Sequence, residues 1–178
     1  MEGGERLRLF CALRLPGDVV DELSAWQAAE LRAGRRVPRE NLHVTLAFLG
    51  RRPAGDVPAV ARELAAAAAA ADAIRLQEQR YRETRSVGMI VFDDVGGAGG
   101  KLAAELGSRL EQIGVFRRED RPWLPHVTVT RFRERPRLRP PLPGLGEISP
   151  SDAAVYVSRL HPNGALYEAL ETAVLGGR

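Results

Sequence analysis

The tripeptide His-Val-Thr occurs twice, in Asn41-Leu42-His43-Val44-Thr45-Leu46-Ala47-Phe48 and in Pro125-His126-Val127-Thr128-Val129-Thr130-Arg131-Phe132. The chain has only three histidines, and two of them share this context. Each copy lies in an apolar, β-branched run that reads as a strand. Side chains two apart on a strand share a face. His43 and Thr45 therefore point one way, while Leu42, Val44 and Leu46 point toward a core. His126 and Thr128 repeat the arrangement, with Val127 and Val129 as the buried partners. A duplicated imidazole-plus-hydroxyl on half-buried strands predicts one active site assembled from two similar halves.

The 178 residues suffice for a substantial core, and a hydrophobic content of 44% with 28% charged residues fits an ordinary globular protein. No apolar run approaches the roughly 20 residues needed to cross a bilayer. The start, Met1-Glu2-Gly3-Gly4-Glu5-Arg6, carries acid and leads straight into strand-like sequence, so no signal peptide is expected. The single cysteine, Cys11, forbids an internal disulfide framework. These features predict a cytoplasmic protein that does not engage membranes. No apolar surface helix calls for a second copy, so a monomer is expected.

The formal charge is only +3, but Lys101 is the sole lysine and the basic residues are otherwise arginine. Arginine keeps its charge and grips phosphate oxygens with paired hydrogen bonds. Arg131, Arg133, Arg135, Arg137 and Arg139 accompany or follow the second motif, and Arg117, Arg118 and Arg121 precede it. This basic collar favours an anionic substrate.

Alternating apolar residues predict a first strand over 6–15, then a helix from Pro16-Gly17-Asp18 to about Leu31. A basic loop over 32–40 precedes the first motif strand, 42–49. The alanine run predicts a helix over 57–71, followed by strands over 74–81 and 87–92. The glycines at 96–100 read as a loop before a helix over 101–113, and the arginine- and proline-rich stretch 133–146 reads as irregular. Segments 153–160 and 165–174 form a closing hairpin around Pro162-Asn163-Gly164. The two motifs lie about 80 residues apart, too far for a solenoid unit. The expected fold is α+β: a single bilobal domain over 1–178, with 42–49 in one lobe and 125–132 in the other. The lobes are antiparallel sheets related by a pseudo-twofold axis, with helices outside and a central groove.

Two histidines flanking a phosphorus can divide an in-line displacement between them. One takes a proton from the attacking oxygen and the other donates to the departing one. The threonine hydroxyls can donate to the non-bridging oxygens, where charge accumulates. No cofactor or metal is needed. A metal site built on two histidines lacks a carboxylate or cysteine at ligand spacing in either motif. A Cys-His pair using Cys11 would need a thiol from an inward-facing strand position. No Gly-x-Ser-x-Gly or Walker-type phosphate loop occurs.

These motifs resemble the 2H phosphoesterase superfamily, and more narrowly its RNA 2′,3′-cyclic phosphodiesterases, historically called 2′-5′ RNA ligases. The resemblance rests on residues 8–16, on Asn41 to Gly50, on Pro125 to Arg131, and on Ser158-Arg159-Leu160 with Gly164 and Tyr167. It implies metal-independent opening of a 2′,3′-cyclic phosphate on an RNA end or nucleotide, leaving a 2′-phosphate. His43 would be the proton donor and His126 the proton acceptor, with Thr45, Thr128 and Arg131 binding the phosphate. The same groove run in reverse would join RNA ends without ATP through a 2′-5′ bond. A noncatalytic RNA-end or nucleotide-binding module is the alternative from another class, and a metal-dependent hydrolase a third.

Arg131 and Phe48 both lie at odd offsets from their histidines, so an ideal strand aims them away from the groove. Arg131 reaches the phosphate only if its strand ends or bulges near Thr130, and Phe48 is expected in the core. Tyr167 and Trp123 are compatible with either core or groove, and His161 is assigned no role.

Overall fold

The computed structural model describes residues 4–177. Two antiparallel sheets and three α-helices make up the α+β architecture. The elements run β1 (Arg6–Arg14), α1 (Gly17–Glu30), β2 (Arg35–Arg36), β3 (His43–Pro53), α2 (Val57–Ala69), β4 (Leu76–Glu83), β5 (Val87–Asp94), α3 (Ala98–Gln112), β6 (His126–Arg131), β7 (Glu147–Ile148), β8 (Asp152–His161) and β9 (Gly164–Val174). The first sheet has the order β3-β1-β8-β9 and the second β2-β6-β5-β4-β7. Helix α2 packs across β8 and β9, and α3 lies against α2, β3 and β5.

Up to their bulges the motif strands and β1 keep the core face read from their residues. On β1, Leu9, Cys11 and Leu13 are fully buried on the core face, opposite Gly50, Ala47 and Val44 of β3. Val127 and Val129 do the same for β6. Fully burying such side chains contributes about 1.5–3 kcal/mol each. A one-residue slip of either motif strand would exchange this core face for the histidine face.

Sequence neighbours do not always stay in one sheet. Residues 35–36, expected in a basic loop, form β2 and pair with Arg131 and Thr130 of β6. Helix α1 also joins the second sheet: Gln27, 3% exposed, donates its amide to the carbonyls of Val129 (2.8 Å) and Val37 (3.0 Å). The first sheet is therefore built from both ends of the chain, and the second mostly from its middle.

Helix α3 begins three residues earlier than the sequence predicts. Ala98, Gly99 and Gly100 form its first turn rather than a loop. The Asp94 carboxylate accepts hydrogen bonds from the backbone N–H of Gly99 (3.0 Å) and Gly100 (2.7 Å), replacing partners that the helix start lacks. A Cβ on Gly99 would sit 2.7 Å from the Trp123 ring, so close packing rather than turn formation explains that glycine. Segment 133–146 is irregular, as predicted.

Candidate functional site

The motif strands are facing edges of the two sheets. β3 is the outer strand of the first sheet, and β2 covers β6 only at Thr130 and Arg131. Trp123, just ahead of β6, donates its indole N–H to the Thr45 carbonyl of β3 at 2.9 Å. That bond ties the two motifs together across the junction of the sheets.

The two motifs match more deeply than their tripeptides. From each histidine the pattern is half-buried, buried, half-buried, buried, buried, exposed, over 43–48 and again over 126–131. In β3 the pairing with β1 shifts between Ala12↔Thr45 and Cys11↔Ala47, leaving Leu46 as an extra residue. In β6 the pairing with β5 shifts between Met89↔Thr128 and Gly88↔Thr130, leaving Val129 extra. Both are β-bulges at the third residue after the histidine, and a bulge resets the alternation. The fifth residue then returns to the histidine face.

This geometry puts Arg131 in the groove wall, and it corrects the expectation for Phe48. Phe48 is 47% exposed and lines the groove instead of packing in the core. Among the described residues Arg131 makes no ion pair, so its guanidinium stays available.

A cavity of about 220 Å³ lies between the sheets, with His43, Thr45, Thr128 and Arg131 in its walls. Phe10, Asn41 and Tyr167 also line it. His126 sits beside this cavity, one same-face position from Thr128, near enough for its charge to act on His43. Tyr167 is therefore a groove residue, and its ring meets His43 edge-on at 5.4 Å. Phe10 supports the same imidazole at 4.9 Å.

Each histidine is oriented by a carbonyl two residues earlier. His43 Nδ1–H donates to the Asn41 carbonyl at 2.7 Å, and His126 Nδ1–H donates to that of Leu124 at 2.8 Å. A carbonyl only accepts, so Nδ1 carries the proton in both neutral rings and Nε2 holds the lone pair. His43 Nε2 lies 2.9 Å from the Thr45 hydroxyl. Burial pushes the His43 imidazole down to about 4, and the charges of His126 and Arg131 push the same way. The hydrogen bond to the Asn41 carbonyl opposes them.

Sequence reasoning missed Asn41 as a member of the site. Its amide donates to the Ala165 carbonyl (2.7 Å) and accepts from the Tyr167 N–H (3.1 Å), fixing β9 against the first motif. Its place two residues before His43 is the only signal the sequence offers.

Cys11 is buried and its thiol is pushed up to about 12 by that burial, so it keeps its proton and supplies no thiolate nucleophile. Among the described residues no three His, Cys, Asp or Glu side chains cluster to hold a metal ion. Among the described residues no helix is long and apolar enough to cross a membrane.

Comparison with known proteins agrees with this architecture. The family model of the 2′-5′ RNA ligase superfamily matches residues 16–162. The RNA 2′,3′-cyclic phosphodiesterase of Thermus thermophilus is 32% identical over 186 aligned positions, covering 96% of this chain and 91% of that protein. A Thermus thermophilus crystal structure superposes with a TM-score of 0.80 at 30% identity, covering 97% of this chain and 100% of the other. The structure of Escherichia coli LigT complexed with NADP+ gives a TM-score of 0.79 at 28% identity, with 97% and 99% covered. Nearly full-length likeness in sequence and fold means that the chain belongs to the 2′-5′ RNA ligase superfamily.

Proposed function

We propose that this chain hydrolyses 2′,3′-cyclic phosphates on RNA ends and nucleotides to 2′-phosphates, without a metal, using His43 and His126 as an acid–base pair. The reading is carried by one observation: the His43 imidazole, both motif threonines and an arginine without an ion pair among the described residues line one groove, and a second clamped imidazole, His126, stands beside it near enough for its charge to act on His43. The functional unit is the whole chain, 1–178, acting as one bilobal domain with a motif in each lobe. The phosphodiesterase named for the Thermus relative and the nucleotide held by the Escherichia coli relative support the same substrate class.

In the proposed reaction, His126 Nε2 takes a proton from water as its oxygen attacks phosphorus. The bond from phosphorus to the 3′-oxygen breaks, and His43 gives that oxygen its proton. Thr45, Thr128 and Arg131 hold the non-bridging oxygens as charge builds on them. Phe48 presents an exposed ring on which a nucleobase can stack. Placing an RNA 5′-hydroxyl where water would sit turns the reverse of cyclic phosphate formation into 2′-5′ joining, since the same acid and base serve both directions.

His43 has lost its proton in the free groove at neutral pH, because it titrates at about 4. A phosphate anion bound beside it favours its protonated form, so substrate binding raises the share of His43 rings able to act as the acid. The pair works only with one proton between the two rings. In kcat/KM, which reports the free enzyme, the profile therefore breaks near pH 4, where His43 titrates. The limb in kcat lies at higher pH, because the substrate complex holds the His43 proton more tightly. Initial rates across pH on a nucleoside 2′,3′-cyclic phosphate, with chelator present, test this. A 2′-monophosphate product and a bell-shaped profile are expected. Activity abolished by chelator and restored by zinc would overturn the metal-independent scheme.

A further inference from the structure

The groove face of the second sheet extends beyond β6. Strand pairing sets His126 opposite Val91 and Val91 opposite Arg80, and sets Thr128 opposite Met89 and Met89 opposite Arg82. Directly opposed residues project from the same face. Arg80 and Arg82 therefore stand on the face that carries His126 and Thr128, two strand spacings away, or about 10 Å. Met89 and Val91, 6% and 1% exposed, lie between them, and the acid on this face of β5, Asp93, stands one same-face position beyond Val91 and accepts from the Gln79 amide at 2.6 Å. Both arginines are exposed, and among the described residues neither forms an ion pair.

The far side of the row opens into a cleft of about 510 Å³ along the edge of β4, with five arginines and one carboxylate in its walls. That carboxylate, Glu83, has a side chain only 2% exposed and pairs with Arg135, leaving the other four arginines without an ion pair among the described residues. Its Oε2 accepts from the Tyr81 hydroxyl (2.8 Å) and the Leu138 N–H (3.0 Å). Its Oε1 lies 3.5 Å from Arg135 Nε. The irregular segment after the second motif is thereby pinned beside β4, with Arg137 and Arg139 brought to the same opening. Arg137 holds φ at 59°, a left-handed conformation that costs a non-glycine residue energy and that this anchoring maintains.

We propose that Arg80 and Arg82, with the arginines beside them, bind the phosphodiester backbone of an RNA whose reacting end occupies the histidine groove. The proposal rests on the phosphodiesterase reading and extends it: the enzyme prefers RNA ends to single nucleotides. Guanidinium groups matched to repeated phosphates give affinity without base selectivity. A nucleoside 2′,3′-cyclic phosphate carries one phosphate, which the histidine groove holds, so it has none left for this row.

The test compares two substrates on the full chain: a nucleoside 2′,3′-cyclic phosphate and a short oligoribonucleotide ending in a 2′,3′-cyclic phosphate. In an Arg80→Ala/Arg82→Ala variant, kcat/KM on the oligonucleotide falls about tenfold, and its salt dependence loses a slope of about 0.7 for each lost phosphate contact. Turnover of the mononucleotide stays at the wild-type value, which also shows that the variant is folded. An Arg80→Lys/Arg82→Lys variant recovers most of the oligonucleotide activity. An unchanged oligonucleotide rate or salt slope, or an equal loss on both substrates, overturns the RNA track. Wild-type protein inactive on both substrates would instead contradict the reading of the groove itself.

Discussion

Replacing His126 with alanine is expected to lower kcat/KM on a nucleoside 2′,3′-cyclic phosphate by about 10²–10⁴, the usual worth of one positioned proton transfer. The ring is half-buried, and among the described residues its one hydrogen bond runs to the Leu124 carbonyl, so its loss costs little stability. The activity change therefore reads chemistry rather than folding. His43→Ala is expected to fall in the same range but to unfold more easily, because its ring packs against Phe10 and Tyr167. The double variant should lose less than the product of the two single losses, since neither histidine completes the reaction alone. Full activity in His126→Ala would remove the acid–base pair from the mechanism.

The second large effect is expected at Arg131. Removing a preorganised donor to developing charge costs on the order of 10²-fold in kcat, and Arg131→Ala should approach that figure. Arg131→Lys keeps the charge but loses the planar fork, so it should recover only part of the activity. The side chain is exposed and without an ion pair among the described residues, so the melting temperature should not move. A loss confined to KM, with kcat intact, would make Arg131 a binding residue that does not distinguish the transition state.

Arg131 also marks where the sequence became illegible. His43, Thr45, His126 and Thr128 were readable because alternation over three residues needs nothing but an extended backbone. The fifth residue depends on a bulge, and neither Leu46 nor Val129 has a side chain that announces one. The bulges are visible only in the pairing with β1 and β5. At Val129 the distortion is held by Gln27, distant in sequence, whose amide grips the displaced carbonyl. Phe48 was misplaced for the same reason, and its exposure in the groove is the mirror of Arg131.

Short and borrowed elements were hidden as well. β2 has two residues and no periodicity of its own; its existence comes from the open edge of β6. The start of α3 was obscured because Gly99 reads as a turn former, whereas the Trp123 ring excludes any larger residue there. Trp123 in turn serves the site by bonding to the Thr45 backbone. Long alternating strands, the alanine-rich helix and the closing hairpin all followed from local pattern. Features that required two remote segments to meet did not.

The central claim is most directly tested by a crystal structure of the chain with inorganic phosphate bound. The phosphorus is expected between the Nε2 atoms of His43 and His126, with phosphate oxygens within about 3 Å of both threonine hydroxyls and of Arg131. A phosphate held by one histidine alone, or seated away from both motif strands, would contradict the account.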